Sequence, residues 1–264
     1  RSDKKYLGVY HHEVNGKLQT RVATSNELLN WCYESTIESN TSQADIQKTS
    51  DGGFLVAYEK NNQEGNYIKL RYYSNFTSLL TSTHQQEFSI KKTLAASDKS
   101  EGTPTILSAN LNPDILRSEI TLEFHANNGS VDLPAIGTLK DFNHWHGKIN
   151  QNRLNLFQNL NSIRGNIGGR DNFSYQGRKY AIQETQDKKD DFSTWHPYLY
   201  NYETNEMNPL YIRTHKNSSS FGNPTVTELT LPEGKRGIVI TQFIFTEGAA
   251  QEEAGELVYY SEYK

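Results

Sequence analysis

Four short runs recur along the chain at an almost constant spacing. They are Gln-Ala-Asp-Ile ending at Ile46, Thr-Pro-Thr-Ile ending at Ile106, Arg-Gly-Asn-Ile ending at Ile167 and Asn-Pro-Thr-Val ending at Val226. The successive separations are 60, 61 and 59 residues. A fixed period over four copies indicates one structural unit that is repeated along the chain.

A second strand-like segment, rich in aliphatic and aromatic residues, follows each of these runs. The four segments are Gly53–Glu59, Ser118–Ala126, Arg178–Thr185 and Arg236–Phe245. The turns before two of them, Ser-Asp-Gly-Gly at 50–53 and Pro-Glu-Gly-Lys at 232–235, are typical of tight hairpins. At the N-terminus the repeat begins with its second segment. Tyr6–Glu13 corresponds to a second segment and Gln19–Ser25 to a third.

The repeat predicts an all-β chain with a period of about 60 residues. Its units cover approximately 1–40, 41–98, 99–160, 161–220 and 221–264, each with three to four antiparallel strands. Repeated four-stranded units are the sequence signature of a β-propeller, so we expect a single five-bladed propeller domain over 1–264. In this template the innermost strand of the first unit would precede Arg1.

Composition excludes several classes of function. The 264 residues include 27 Lys and Arg against 31 Asp and Glu, a net charge of −4, which gives no basic field for nucleic acid. No apolar run approaches the roughly 18 residues of a membrane span. Cys32 is the one cysteine, so an intrachain disulfide is impossible.

Three short motifs resemble one family of five-bladed enzymes. Val22–Trp31 is similar to the Ser-x-Asp-Leu-x-x-Trp blade ending of glycoside hydrolase family 43, with Glu27 in place of the aspartate. Ser42–Ile46 is similar to the Ala-Pro-Asp stretch that supplies a carboxylate modulating the acid, and it keeps Asp45 without the proline. Glu101–Pro104 resembles the Glu-Gly-Pro segment that carries the general acid.

The resemblance implies Glu101 as general acid and Asp45 as its partner carboxylate. The strand that carries the family's general base has no counterpart in this sequence, so that role is not assigned. Glycoside hydrolysis needs two carboxyl groups at one pocket, about 5–5.5 Å apart for retention or 6.5–9.5 Å for inversion. The alternative for Glu101 is an exposed turn residue, and for Asp45 a carboxylate that binds backbone amides.

Four further residues are candidate sugar contacts. Asn166, Arg170 and Asp171 lie in the segment Gly165–Asp171, which overlaps the third run, and an Arg170–Asp171 ion pair is the structural alternative. Trp195 lies off the repeat position that Trp31 and Trp145 share, and we interpret it as a sugar-stacking platform.

We expect no cofactor and assign no metal ligands. His11 and His12 would face opposite sides of a strand, and the pair His144 and His146 lacks a third ligand. The resemblance leaves open a tunnel cation such as calcium.

The leading hypothesis is a secreted, monomeric glycoside hydrolase that acts on a poly- or oligosaccharide. The alternative is a non-catalytic propeller that binds glycan or protein on its face. Asn-x-Ser/Thr sequons at Asn40, Asn75, Asn128, Asn172 and Asn217 favour an extracellular location, with the periplasm left open.

Overall fold

Five antiparallel sheets form the β-structure of this computed structural model, which describes residues 6–111, 117–160 and 163–262. The strands are β1 (Tyr6–Val14), β2 (Lys17–Ser25), β3 (Cys32–Ser39), β4 (Thr41–Lys48), β5 (Phe54–Lys60), β6 (Tyr67–Tyr73), β7 (Gln86–Ser89), β8 (Glu101–Asn110), β9 (Glu119–Asn127), β10 (Asp132–Lys140), β11 (His144–Ile149), β12 (Ile167–Tyr175), β13 (Arg178–Gln186), β14 (Trp195–Asn201), β15 (Glu206–Pro209), β16 (Phe221–Thr230), β17 (Arg236–Ile244) and β18 (Gly255–Glu262).

The sheets follow chain order. Sheet 1 contains β1–β3, sheet 2 β4–β7, sheet 3 β8–β11, sheet 4 β12–β15 and sheet 5 β16–β18. Two short helices accompany them, α1 (Phe76–Leu80), capped by Asn75, and α2 (Gln151–Asn159), capped by Asn150. The predicted all-β class, with three or four antiparallel strands to a unit, is confirmed.

The chain divides into two compact units. Unit 1 comprises Arg1–Gly129 and Ala135–Ile149 and contains sheets 1 and 2 and most of sheet 3. Unit 2 comprises Ser130–Pro134 and Asn150–Lys264 and contains sheets 4 and 5.

In unit 1, sheet 2 is covered on both faces, which explains why β5 is apolar without alternation. Phe54, Val56 and Tyr58 pack with Val22 and Ile37 of sheet 1. The intervening β5 residues Leu55 and Ala57 pack on the opposite face, against the apolar side chains of β8 and β9. Because both faces of β5 are buried, a shift of this strand by one residue would exchange the side chains on its two faces. The packing of β5 therefore stabilises its register between sheets 1 and 3.

In unit 2, helix α2 packs on sheet 4. Phe157 is buried against Ile167 and Tyr198. Arg153 is buried beside them, with its guanidinium 4.4 Å from the centroid of the Tyr200 ring. A cation over an aromatic face is attracted to the ring's negative quadrupole, so this buried charge has a local electrostatic partner.

The first strand of each of the last four sheets contains a bulge at the same place. Ladder pairing is interrupted between Ser42 and Asp45 in β4 and between Gly102 and Thr105 in β8. The same interruption occurs between Ile167 and Arg170 in β12 and between Gly222 and Thr225 in β16. Three bulge residues, Gln43, Thr103 and Asn223, have φ near +50°. Such an extra residue bends the strand and re-aims the side chains beside it.

The bulges correct one predicted alignment. The residue after the bulge is Asp45 in β4, Thr105 in β8 and Thr225 in β16, as the repeat predicts. In β12 it is Arg170, whereas the repeat placed Asn166 there. Asn166 precedes the strand, so the Arg-Gly-Asn-Ile run is four residues out of register with the others.

Candidate functional site

Asp45 lies directly after the bulge of β4, at the edge that faces sheet 3. Its Oδ2 atom accepts a hydrogen bond of 2.7 Å from the backbone nitrogen of Ile106 in β8. The side chain is half-buried, and burial raises its pKa to about 6, although backbone hydrogen bonds from Ile106 and Ile46 act to lower it. Such a carboxyl group holds its proton in mildly acidic solution, as general acid catalysis requires.

Glu101, the predicted general acid, is 1 % exposed at the start of β8. Its Oε1 atom accepts hydrogen bonds from the backbone nitrogens of Thr93, Leu94 and Ala95, at 2.7, 2.6 and 3.0 Å. These three amides belong to the loop that precedes the strand. The carboxylate therefore anchors a loop, and the geometry gives it no exposed surface for substrate.

The positively charged Lys92 holds the same loop as the Glu101 carboxylate. Its Nζ atom donates to the carbonyl oxygens of Glu64, Ser97 and Lys99 at 2.5, 3.0 and 2.8 Å. One cation that binds carbonyls and one anion that binds amides thus fold the loop between β7 and β8. The predicted alternative to catalysis was an exposed turn residue, whereas Glu101 is a buried anchor of the loop.

Asp45 and Glu101 have different hydrogen-bond partners, which disfavours the predicted catalytic pair. The Asp45 carboxyl binds at Ile106, five residues beyond Glu101 on β8, which with the bulge is about 13 Å of strand. The Glu101 carboxylate is held at the 93–95 loop. The two carboxyl groups therefore bind different segments of unit 1.

A cluster of polar residues that the sequence analysis did not select lies in unit 1, near the ends of β5 and β9 and the start of β8. We call His11, Glu59, Thr103 and His125 the strand-end cluster. The Glu59 Oε2 atom accepts a 2.9 Å hydrogen bond from the Thr103 nitrogen, and its Oε1 atom accepts one from the Asn66 amide. The Thr103 hydroxyl hydrogen-bonds Nδ1 of His125.

Close packing and electrostatics complete the cluster. A methyl group on Gly102 would overlap the Glu59 carboxylate and approach the His125 ring. The His11 side chain is exposed, yet the surrounding protein lowers its pKa, an effect that the nearby Glu59 carboxylate opposes. Because Gly102 has no side chain, both Glu59 and His125 can lie close to it.

The repeat itself contained the signal for this cluster. Glu59 pairs with Ser42 and His125 pairs with Gly102, each directly before the bulge of the first strand. His11 is the sixth residue of β1, as Glu59 is of β5. Aligning the second segments as well as the first would have placed three ionisable residues at one repeat position.

Asp45 and Glu59 both bind the backbone of β8. Their partners are Ile106 and Thr103, with the bulge between them. The bulge shortens this three-residue step to about 8 Å along the sheet, at about 3.3 Å per paired residue. The two backbone nitrogens that these carboxyl groups bind are therefore about 8 Å apart along β8.

In unit 2, the predicted sugar contacts have structural partners. Asp171 Oδ2 accepts a 2.8 Å hydrogen bond from the Val226 nitrogen. The buried Arg170 guanidinium donates to Gln183 Oε1 and to the Gly168 carbonyl at 3.1 and 2.7 Å. Asn166 Oδ1 accepts from the Asp132 nitrogen at 3.1 Å.

Trp195 is 7 % exposed at the start of β14, where its ring packs 6.1 Å from that of Phe245. A stacking platform needs a free ring face, so this burial disfavours the predicted role. Trp31 covers Gly8 and Trp145 covers Gly137, which gives these two tryptophans the same packing role.

The segment that resembles the family's blade ending forms a turn. The Ser25 hydroxyl accepts from the Leu28 nitrogen at 2.9 Å, and Glu27 Oε1 accepts from the Asn30 nitrogen at 2.6 Å. The Trp31 indole then donates to the Leu28 carbonyl at 2.8 Å. Glu27 therefore supports the turn, as a shorter aspartate can.

Neither metal-binding groups nor membrane-spanning helices were found in the described parts of the chain. Within 6–111, 117–160 and 163–262, no three His, Cys, Asp or Glu side chains are grouped to hold an ion. No helix in these ranges is long and apolar enough to span a bilayer. Secretion, a monomeric state and the absence of a cofactor stay predictions.

Comparison with known proteins finds solved structures that are similar to this chain. An exo-1,5-α-L-arabinanase from a bovine ruminal metagenomic library matches with a TM-score of 0.59 and 10% identity, over 96% of this chain and 91% of that one. The Cellvibrio cellulosa α-L-arabinanase complexed with arabinohexaose matches with a TM-score of 0.57 and 11% identity, over 98% and 91%. A thermostable family-43 glycoside hydrolase gives 0.54 and 10%, over 97% and 90%.

No protein-family model matches the chain, and no curated protein matches it in sequence. At about 10% identity, the structural matches establish the fold alone. This fold is the five-bladed β-propeller of the family-43 enzymes, as the sequence predicted.

Proposed function

We propose that this protein is a glycoside hydrolase, with Asp45 as proton donor and Glu59 as the second carboxylate. The observation that carries the proposal is the half-buried Asp45 carboxyl, whose pKa is about 6, beside the strand that also holds Glu59. Perturbed carboxyl groups of this kind are characteristic of acid–base sites, and the propeller fold is that of known glycosidases.

The geometry supports an inverting reaction. Asp45 gives its proton to the glycosidic oxygen as the bond from that oxygen to the anomeric carbon breaks. Glu59 takes a proton from a water molecule whose oxygen forms the new bond to the anomeric carbon. Thr103 and Asn66 hold the Glu59 carboxylate in place, which reduces the reorganisation required during reaction.

Arabinose-containing polysaccharide is the substrate we propose first. Two of the matching structures are arabinanases, one of them in complex with arabinohexaose. A branched and a debranched arabinan, together with aryl arabinosides and xylosides, form a suitable panel.

The test is release of reducing sugar by the wild type, by Asp45→Asn and by Asp171→Asn. Asp171→Asn is the matched control because Asp171 binds the Val226 amide in unit 2 as Asp45 binds the Ile106 amide in unit 1. We expect a loss of about 10²–10⁴-fold for Asp45→Asn only. The wild-type kcat/KM should also decrease above pH 6 as Asp45 loses its proton. Equal activity in all three proteins would refute the assignment.

A propeller that binds glycan without hydrolysing it is the second candidate. The specific observation for it is that Asp45 and Glu59 each bind a backbone amide of β8, as carboxylates with a purely structural role do. Under this alternative the wild type binds arabinan but releases no sugar from any substrate on the panel.

A further inference from the structure

A cavity of about 260 Å³ lies between helix α2, the start of β10 and the segment 163–167, which leads into β12. We call it the α2 cavity. All of its lining residues belong to Ser130–Pro134 and Asn150–Lys264, so unit 2 alone forms its walls. Protein interiors are close-packed and leave few voids larger than a water molecule. A cavity of this volume therefore has room for a small ligand.

The walls of the α2 cavity are mostly apolar. The apolar lining residues are Val131, Leu133, Leu154, Phe157, Ile163 and Ile167. Leu154 and Phe157 are three residues apart on α2, so their side chains share one face of the helix. A cavity of about 150 Å³ with walls of leucine, isoleucine and phenylalanine binds benzene. The α2 cavity is larger, so it has room for one aromatic ring and a short substituent.

Hydrogen bonds on both sides hold the segment that forms one wall of the cavity. The Gly165 nitrogen donates to the Gln186 carbonyl, at the end of β13, at 2.9 Å. The Asp132 nitrogen, at the start of β10, donates to Asn166 Oδ1 at 3.1 Å. The segment between α2 and β12 is thus tied to two strands. A wall that is already in place reduces the cost of ordering the protein when a ligand binds.

Arg164 places a positive charge at the opening of the α2 cavity. Arg164 and Gln158 are the exposed residues of the lining, so the cavity opens to solvent beside them. Arg164 Nη1 donates to the neighbouring Ile163 carbonyl at 3.0 Å, and the guanidinium has further N–H donors. Among the residues that the structure describes, no Asp or Glu oxygen lies within ion-pair distance of this guanidinium. Such a group suits the carboxylate of a ligand.

Asp132 limits the charge of that ligand. It lines the α2 cavity from the start of β10. Like charges at one site repel each other, so a phosphate monoester or a dicarboxylate is disfavoured. A ligand with one negative charge can bind Arg164 and keep its apolar part among the apolar walls.

We propose that the α2 cavity binds a monocarboxylate with one aromatic ring, of the benzoate or cinnamate type. The ring packs against the apolar side chains of α2 and of the segment 163–167, and the carboxylate pairs with Arg164. The site is separate from that of the proposed hydrolysis, because Asp45 and Glu59 belong to unit 1. The proposal therefore does not depend on the proposed function.

A fluorine NMR titration of 4-fluorocinnamate with the full chain tests the proposal. Arg164→Gln removes the charge, and Leu154→Trp fills the cavity. Arg178→Gln is the control for charge, since it removes an exposed arginine paired with Glu203. Leu156→Trp is the control for the added ring, since Leu156 is a half-buried leucine of α2 outside the lining. Thermal melts establish which variants are folded.

We expect the wild type and both controls to bind the probe with a dissociation constant of about 0.1–1 mM. Arg164→Gln should weaken binding at least tenfold, and so should replacement of the carboxylate in 4-fluorocinnamamide. Leu154→Trp should abolish binding. If this variant does not fold, Arg164→Gln and the amide probe decide the question.

Two results would overturn the proposal. One is an unchanged fluorine signal when wild-type protein is added. The other is equal affinity of the wild type and Arg164→Gln for the probe. Displacement of the probe by hexanoate at a lower concentration than by unlabelled cinnamate would overturn the assignment of an aromatic ligand.

Discussion

The Oδ2 atom of Asp45 lies 2.7 Å from the backbone nitrogen of Ile106, so a carboxyl group joins the first strands of two successive sheets. Asp171 and Val226 repeat the relationship in unit 2 at 2.8 Å. Glutamates make a second tie of the same kind, from Glu59 to Thr103 and from Glu184 to the Asn223 amide. An acidic side chain at these places therefore supports the packing of sheets, whether or not it also reacts with substrate.

Asp45→Asn should stabilise the protein at neutral pH. In the folded state the pKa of Asp45 is about 6, above its usual value of 3.8, so folding binds a proton between those values. Stability therefore decreases as pH rises through this window, by about 1–2 kcal/mol after allowance for partial exposure. Asparagine cannot ionise and still accepts from Ile106. Urea unfolding at pH 4 and pH 7.5 should show the benefit of the variant mainly at pH 7.5, whereas an equal difference at both pH values would contradict it.

Glu38→Gln should have the opposite pH dependence. Burial acts to raise the pKa of Glu38, but hydrogen bonds from Lys60, Lys69 and Tyr58 outweigh it and lower the pKa to about 2. Arg71 adds a 2.7 Å ion pair. This stability is present above about pH 4.5 and is lost as pH falls toward 2. At pH 7 the variant should lose about 2–3 kcal/mol of unfolding free energy, because among the described residues Lys60 loses its ion-pair partner and Lys69 and Arg71 keep only Glu87.

The control for Glu38 is Glu262→Gln, which removes an exposed ion pair with Lys235. Exposed pairs contribute little, so its unfolding free energy should match that of the wild type at every pH. A constant difference between Glu38→Gln and the wild type from pH 7 to pH 2.5 would show that the buried network is not ionised as described.

Glu101→Gln should loosen a loop and leave catalysis intact. The glutamine oxygen can still accept from the three amides, but a neutral oxygen binds them more weakly than a carboxylate. The buried NH2 group takes the place of Oε2, which has no hydrogen-bond partner among the described residues, at a cost of about 1–3 kcal/mol. Hydrogen exchange at the backbone amides of Thr93, Leu94 and Ala95 should accelerate, since Glu101 binds all three. Lys92→Met, which removes the loop's cation, should accelerate the same amides. A loss of sugar release of 100-fold or more in folded Glu101→Gln would instead restore it as the general acid.

Thr103→Val should destabilise the strand-end cluster more than Thr103→Ser. Thr103 has φ +45°, which is unfavourable for a β-branched residue, and its hydroxyl bonds His125. Serine keeps the hydroxyl without the branch, and we expect a change within about 0.5 kcal/mol. Valine keeps the branch without the hydroxyl and should lose about 1–2 kcal/mol. Equal melting temperatures for the two variants would show that the His125 hydrogen bond contributes nothing.

The fold was predictable because strand, turn and repeat are recorded in local sequence. Apolar runs such as Gly53–Glu59 and the Pro-Glu-Gly-Lys turn at 232–235 define hairpins without reference to distant residues. The repeat failed at Ile167 because its alignment used residue type, whereas the bulge of β12 sets register through backbone pairing. After the bulge β12 carries Arg170 and Asp171 and no isoleucine or valine, so an alignment on an apolar residue selected Ile167 instead.

The candidate site was less predictable because its properties arise between segments. Nothing near Glu101 in the sequence reveals that the amides of 93–95 converge on its carboxylate. Glu59 and His125 lie at the ends of apolar runs. The predicted strands accounted for the hydrophobicity of those runs without giving these two residues a role. Asp45 was selected by position, but its raised pKa depends on burial against a neighbouring sheet.

In the first strand of each of the last four sheets, the bulge divides the strand into two independent halves. Residues beyond it, such as Ile106, keep the alternation that the core needs. Residues at or before it, such as Gly102 and Thr103, lie outside that alternation. A substitution before the bulge therefore does not change which residues beyond the bulge face the core. Each sheet can thus acquire a different chemistry at one end while its apolar half stays constant, and four such strands can diverge separately within one inherited scaffold.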